Sequence, residues 1–314
     1  MWFPILILLL FAPPAGHAAF HQAATQTGLV SVPGTKVKLA PPPGFAPAKQ
    51  FPGFINEDTG SSIVVTEMPA PFSQITAGFD SKSLAAGGMT LLSRREISIG
   101  GAKGVLLHVS QVAQSIDFLK WIVAVGNEKE TVLIAATFPK ELKADLSAVM
   151  EKSVLSSRWD HDAQVDQLAG LNFSIKDDPA MKFAKRVSGL MLMTKDGSLP
   201  GKPNNDPIFI VGSAVSQVNV EDKKKFAEQR ILQTEGLSGA AIKKANEVTI
   251  DGLPGYVIIA EARQTNPPEQ PMVVYQTLLF DGDSYFIMQG FTPPEEQKKY
   301  LEIFERIAQS FRRK

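Results

Sequence analysis

Ile97-Ser-Ile-Gly-Gly-Ala-Lys-Gly-Val-Leu-Leu107 and Val248-Thr-Ile-Asp-Gly-Leu-Pro-Gly-Tyr-Val-Ile258 are two versions of one pattern. A β-branched strand end, a Gly-x-x-Gly pair and an apolar run follow in the same order, 151 residues apart throughout. Downstream, Trp121 matches Tyr275 at 154, Phe138 matches Phe291 at 153, and Ser157 matches Ser310 at 153. An offset this steady over about 60 positions implies duplication of one unit of about 150 residues, long enough for each copy to hold its own core. The Gly-x-x-Gly pairs, Gly101 with Gly104 and Gly252 with Gly255, read as tight hairpins between strands, where the backbone needs positive φ. No helix follows them whose N-terminus would face a phosphate.

Working outward, each copy has the same coarse order. In the first, strands are expected over 36–39 and 62–67, a weakly helical region over 72–92, and strands over 96–99, 104–111, 118–125 and 131–137. A helix over 140–157 closes the copy. Leu142, Leu146, Val149, Met150 and Val154 share one of its faces. In the second copy, strands are expected over 172–175 and 208–215, and a helix over 221–234 that stops at Gly236. Strands centred on Val248, Val257 and Val274 come next, then 285–290. Pro293-Pro294 opens the last helix, whose apolar face is Tyr300, Phe304, Ile307 and Phe311. The domains are then 32–159 and 171–314, joined by a polar linker over 160–170 and preceded by a flexible polar arm over 19–31.

This order resembles the PsbP-like α/β sandwich, a family that includes the DcrB and LpqN groups. The resemblance rests on the Gly-x-x-Gly hairpins, the strand ends at Phe138 and Phe291, and the closing helices ending Ser157-Arg158 and Ser310-Phe-Arg312. It implies an α+β fold, two tandem copies of an antiparallel-sheet sandwich. It also implies the family's mainly non-enzymatic role, as exported or lumenal accessory proteins that dock on membrane complexes. No catalytic residue is carried over, and the duplication departs from the usual single-domain form.

The N-terminus reads as an address. Phe3 to Phe11 is apolar except for Pro4, and Gly16 and Ala18 are small residues before a cut after Ala18. The run is too short to span a bilayer, which needs about 20 residues. The expected location is periplasmic or secreted. The chain has 314 residues with 32 basic and 32 acidic side chains. A neutral chain has no global field for nucleic acid or an anionic membrane. With no cysteine, disulfides, thiolate metal sites and Cys nucleophiles are excluded.

Chemistry is scarce. Gly-x-Ser-x-Gly and His-Glu-x-x-His are absent, and Gly197-Ser-Leu-Pro-Gly-Lys202 lacks the spacing of a phosphate loop. His108 is expected as a strand histidine and His161 as a linker residue. Cut after Ala18, the chain would begin Ala19-Phe20-His21. Its amine, two backbone amides and the His21 imidazole would then suit Cu(II) or Ni(II). No other metal site and no cofactor are expected.

The loops around Phe45, Phe51 and Phe54 are richer in Phe and Pro than connections need. These aromatics either form a docking patch or cap the sheet; as a patch they are the partner-binding residues. Phe183, Met191, Met193 and the loop over 264–271 carry the same two readings. The expected function is an exported, non-enzymatic accessory module of the cell envelope that docks on a protein partner. The alternatives are a periplasmic small-molecule or metal-binding protein, with its site between the repeats or at the new N-terminus, and a hydrolase without a recognisable motif.

Overall fold

The computed structural model of the chain describes residues 28–113, 115–199, 206–214, 220–265 and 269–314. The expected signal over 1–18, most of the arm and His21 lie outside them. The described residues form two compact units that meet in the chain between Gly170 and Leu171.

The first unit contains β1 (Val30–Ser31), β2 (Val37–Leu39), β3 (Ala46–Pro47), β4 (Gly53–Asn56) and β5 (Ser61–Met68). Two short helices follow, α1 (Phe72–Thr76) and α2 (Ser81–Ala86). Then come β6 (Met89–Ile99), β7 (Ala102–Ala113), β8 (Ile116–Gly126), β9 (Thr131–Pro139), α3 (Lys143–Leu155) and β10 (Arg158–Trp159). Its main sheet is antiparallel in the order β3-β4-β5-β9-β8-β7-β6, and β1-β2-β10 form a small second sheet.

The second unit contains β11 (Phe173–Ser174), β12 (Lys182–Val187), β13 (Leu190–Thr194), β14 (Ile208–Ser213) and α4 (Lys223–Leu232). It continues with β15 (Leu237–Ile250), β16 (Leu253–Gln264), β17 (Pro271–Asp281), β18 (Ser284–Thr292), α5 (Gln297–Gln309) and β19 (Arg312–Arg313). The sheet order is β12-β13-β14-β18-β17-β16-β15, with β11 paired to β19. Strand for strand this is the order of the first unit. The repeat seen in the sequence is therefore two tandem copies of one α+β sandwich. Even a local defect is copied: β6 slips register between Leu91 and Ser93, and β15 between Ile242 and Lys244, 151 residues on.

Each sheet is covered on both faces, so the strands at its centre read as continuous apolar runs. Every residue of β9 from Thr131 to Phe138 is buried. Alternation sends Leu106, Leu119 and Val123 under α3, against Met150 and Val154. It sends Val105, Leu107 and Val109 to the opposite face, beside Leu84 of α2. In the second unit, Ile258, Ala260 and Val274 meet Ala227 and Ile231 of α4, while Phe209 stacks on Phe304 of α5 and Tyr275 meets the same ring at a tilt. The edge strands β6 and β15 are mostly exposed, as their polar sequences require.

Several expectations change. Val30 and Ser31 are not arm but strand, paired with Leu39 and Lys38, because this pairing closes the small sheet over the α3 core. The helical region over 72–92 is two short helices, and Met89 to Leu92 already belong to β6, since the alternating side chains there continue the edge strand. Only the first glycine of each pair lies in the hairpin, Gly101 at φ +85° and Gly252 at φ +74°. The second lies within a strand. A Cβ on Gly104 would come 2.9 Å from the Ala124 carbonyl oxygen, and one on Gly255 would overlap that of Leu278.

Two matched pairs are displaced by one residue. Thr137 faces Lys120 and Phe291 faces Val274, so Phe291 is the counterpart of Thr137, not of Phe138. Phe138 lies in the α3 core and Phe291 packs on the α4 side; a one-residue slip exchanges faces. Likewise Ser156, not Ser157, repeats Ser310. Each hydroxyl donates to the carbonyl three residues back, at 2.6 Å, and accepts a backbone N–H just past the end of a short strand, from Ala40 after β2 at 2.8 Å and from Lys176 after β11 at 3.0 Å.

Candidate functional site

Phe45, Phe51 and Phe54 are 8%, 2% and 0% exposed, which removes them as a docking patch. Phe45 and Phe54 belong to the core under α3, because β4 turns Phe54 inward opposite Ile63. Met191 and Met193 are buried on β13, and Phe183 is half-buried on β12. These aromatics and methionines fill the end of each sheet that the sequence leaves without an obvious strand.

The histidines are separate. His108 is half-buried on β7 and stacks flat on Trp121, its cross-strand partner. Its Nε2 is enclosed without a hydrogen-bond partner. Burial holds its pKa below the usual value, with Lys143 adding to the effect and Glu151 opposing it. His161 is exposed, pairs through Nδ1 with Asp162 at 3.0 Å, and meets the Trp159 ring edge-on. Neither imidazole hydrogen-bonds a hydroxyl among the described residues. Among the described residues no three His, Asp or Glu side chains could hold a metal ion. His21 lies outside the described residues.

One concavity among the described residues lies in the second unit, a cleft of about 440 Å³ lined by Gly239, Ala241, Glu261, Arg263, Val273 and Gln297 among others. It forms where β15 slips register between Ser238 and Ala241. Gly239 sits there at φ +61°, and the extra residue bends the edge strand. This bulge has no counterpart in β6. Gln297 begins α5, so the floor is sheet and one wall is a helix start.

Chemically the cleft is mixed. Val273, opposite Glu261, gives an apolar base, Ala262 and Met272 turn their side chains into the α4 core, and Arg263 and Glu261 rise at its rim. Glu261 is paired with Lys243 at 2.9 Å and Arg263 with Glu269 at 3.6 Å, all with side chains at least half exposed. Such pairs are worth ~0–1 kcal/mol, so a partner can exchange them at little cost. The edge of β15 itself is guarded by two bulges and by Lys243 and Lys244, features that oppose wholesale strand addition. The sequence reading reached only Glu269 and Pro271 of this region, through the loop over 264–271. The available signal was Gly239 inside a β-pattern, which marks a bulge.

No family model and no curated protein matches the chain. Solved structures similar to it include a cyanobacterial PsbP from Synechocystis sp. PCC 6803, 13% identical over 46% of this chain and 93% of that one, TM-score 0.28. Another is the Ran-binding protein Mog1p of Saccharomyces cerevisiae, 11% identical over 45% of this chain and 90% of that one, TM-score 0.31. The T6SS immunity protein TplEi of Pseudomonas aeruginosa aligns over 92% of this chain and 98% of its own, at 13% identity and TM-score 0.31. Matches of this kind bring no partner and no activity to this chain.

Proposed function

We propose that the chain is an exported, non-enzymatic accessory module that docks on a protein partner of the cell envelope. The supporting observation is the cleft at the β15 bulge, with an apolar base and exchangeable charges of both signs at its rim. That composition suits a partner's side chain anchored in the cleft with polar contacts around it. The separation of His108 and His161 from any hydroxyl partner among the described residues favours binding over catalysis. No helix among the described residues is long and apolar enough to cross a membrane.

The test is affinity capture on the purified chain, followed by titration with the purified candidate partner. Arg263→Glu reverses the rim charge at an exposed position and leaves the fold intact. A partner that binds the chain and loses about tenfold or more in affinity for R263E at unchanged melting temperature supports the reading. A partner indifferent to R263E and to Glu261→Lys, or turnover of a substrate by the purified chain, overturns it.

A further inference from the structure

One row of residues runs across each sheet on the face away from the closing helix. In the second unit it is Ile208, Phe291, Val274, Ala260 and Ile242, each paired with the next across adjacent strands. All five are apolar, and Phe291, Val274 and Ala260 pack in the α4 core. In the first unit the same row is Ser62, Thr137, Lys120, Val109 and Leu91. Two hydroxyls and an ammonium replace Ile, Phe and Val. The fold does not demand these polar groups, because its other copy does without them.

The three side chains are deeply placed, Lys120 at 6%, Thr137 at 3% and Ser62 at 8% exposure. Directly opposed residues have Cβ atoms ~5 Å apart, so the three stand side by side on neighbouring strands. Among the described residues no carboxylate pairs with Lys120, and none of the three side chains makes a hydrogen bond. None is among the polar atoms wholly shut off without a partner, so each keeps a contact with solvent. Phe291, which fills this place in the second unit, has only the smaller Thr137 as its counterpart. A buried charge is stable only when paired, and among the described residues no group pairs it.

We infer that Lys120, Thr137 and Ser62 form a binding site for a small oxyanion, a phosphate or carboxylate, on the α1–α2 face of the first unit. The ammonium supplies the counter-charge and up to three N–H donors, and each hydroxyl supplies one O–H donor. The site is on a different unit from the β15 cleft, and neither depends on the other.

The experiment is thermal unfolding and calorimetric titration of the full chain with inorganic phosphate and, separately, acetate, at constant ionic strength set by sodium chloride. The melting temperature is expected to rise with phosphate or acetate beyond the chloride control, as for any ligand that binds only the folded state. Lys120→Met is expected to abolish the rise, and Thr137→Val to weaken binding about tenfold. Ser62→Ala/Thr137→Val keeps the lysine and gives the same reading if K120M does not fold. Lys224→Met, at an exposed lysine of the other unit, is expected to bind like the parent. No rise with either anion, or a rise that survives K120M or the double variant, overturns the inference.

Discussion

His108 lies flat on Trp121, their ring centroids 4.0 Å apart and their planes within 10°. The two are opposed on β7 and β8, and the indole N–H donates to Ser147 Oγ of α3 at 3.1 Å. The indole is thus fixed from the helix side, and the imidazole is held against it with Nε2 enclosed. Burial disfavours its charged form, so the folded-state pKa lies below 6.5. Above pH 6.5 both folded and unfolded chains carry neutral His108, and its contribution is complete. As pH falls from 6.5 through the lower folded value, the unfolded chain binds the proton first and stability is lost. Urea unfolding from pH 7 to 5 is expected to show this fall, and His108→Phe, which keeps the stack, to flatten it. A His108 NMR titration at or above 6.5 would contradict the expectation.

Lys120 gives a second pH dependence at the alkaline end. Burial pushes its pKa down to about 8 from 10.5, with no other cause. Below pH 8 both states are charged and the folded state bears the full cost of the buried ammonium, ~3 kcal/mol. Between 8 and 10.5 the unfolded chain holds the proton and the folded one releases it, so stability rises with pH. Without added phosphate, K120M is expected to be more stable than the parent at pH 7 and to lose the alkaline rise. Parallel pH profiles for the two chains would argue against a desolvated lysine.

Phe54 is fully enclosed, opposite Ile63 and within the α3 core. Phe54→Ala is expected to cost ~3–5 kcal/mol, chiefly through the cavity it leaves. Calorimetry of the variant gives the number. A variant of unchanged stability that no longer captures a partner would restore the docking reading.

Gly255 faces Leu279 across β16 and β17, and a Cβ there would overlap the Leu278 carbonyl oxygen. Because the obstacle is backbone, the sheet must shift to accept it. Gly255→Ala is expected to destabilise the second unit by ~1–3 kcal/mol. Proteolysis of the folded chain, with cleavage rising after residue 171 but not before 170, would locate the effect.

Much of the architecture is legible without coordinates. The two Gly-x-x-Gly segments announce the duplication, and the 3.6-residue pattern of Tyr300, Phe304 and Ile307 announces a helix that buries all three. The short strands β3, β4, β12 and β13 are not legible, since two to six residues carry too little alternation to stand out from loops. Phe45, Phe51 and Phe54 look excessive for a loop only because the strands they cap are so short. The β15 cleft depends on a bulge, and a single Gly239 is a thin signal for one.

The amino-acid order alone determined that one unit was copied, that each copy runs strands, helix, long strands and closing helix, and that the chain carries no thiol chemistry and no net field. These are local or self-referring properties: composition, periodicity and a constant offset. Only the tertiary structure decided which face each strand residue occupies and which residues stand opposite one another. Side chains alternate every residue, so a one-residue error in matching Phe291 sends it to the wrong core. The row Ser62, Thr137, Lys120 joins positions 17 to 75 residues apart in sequence, and its polarity acquires meaning only beside Ile208, Phe291 and Val274. Pairing across strands is set by the packing of both sheet faces at once, a condition no local stretch of chain contains.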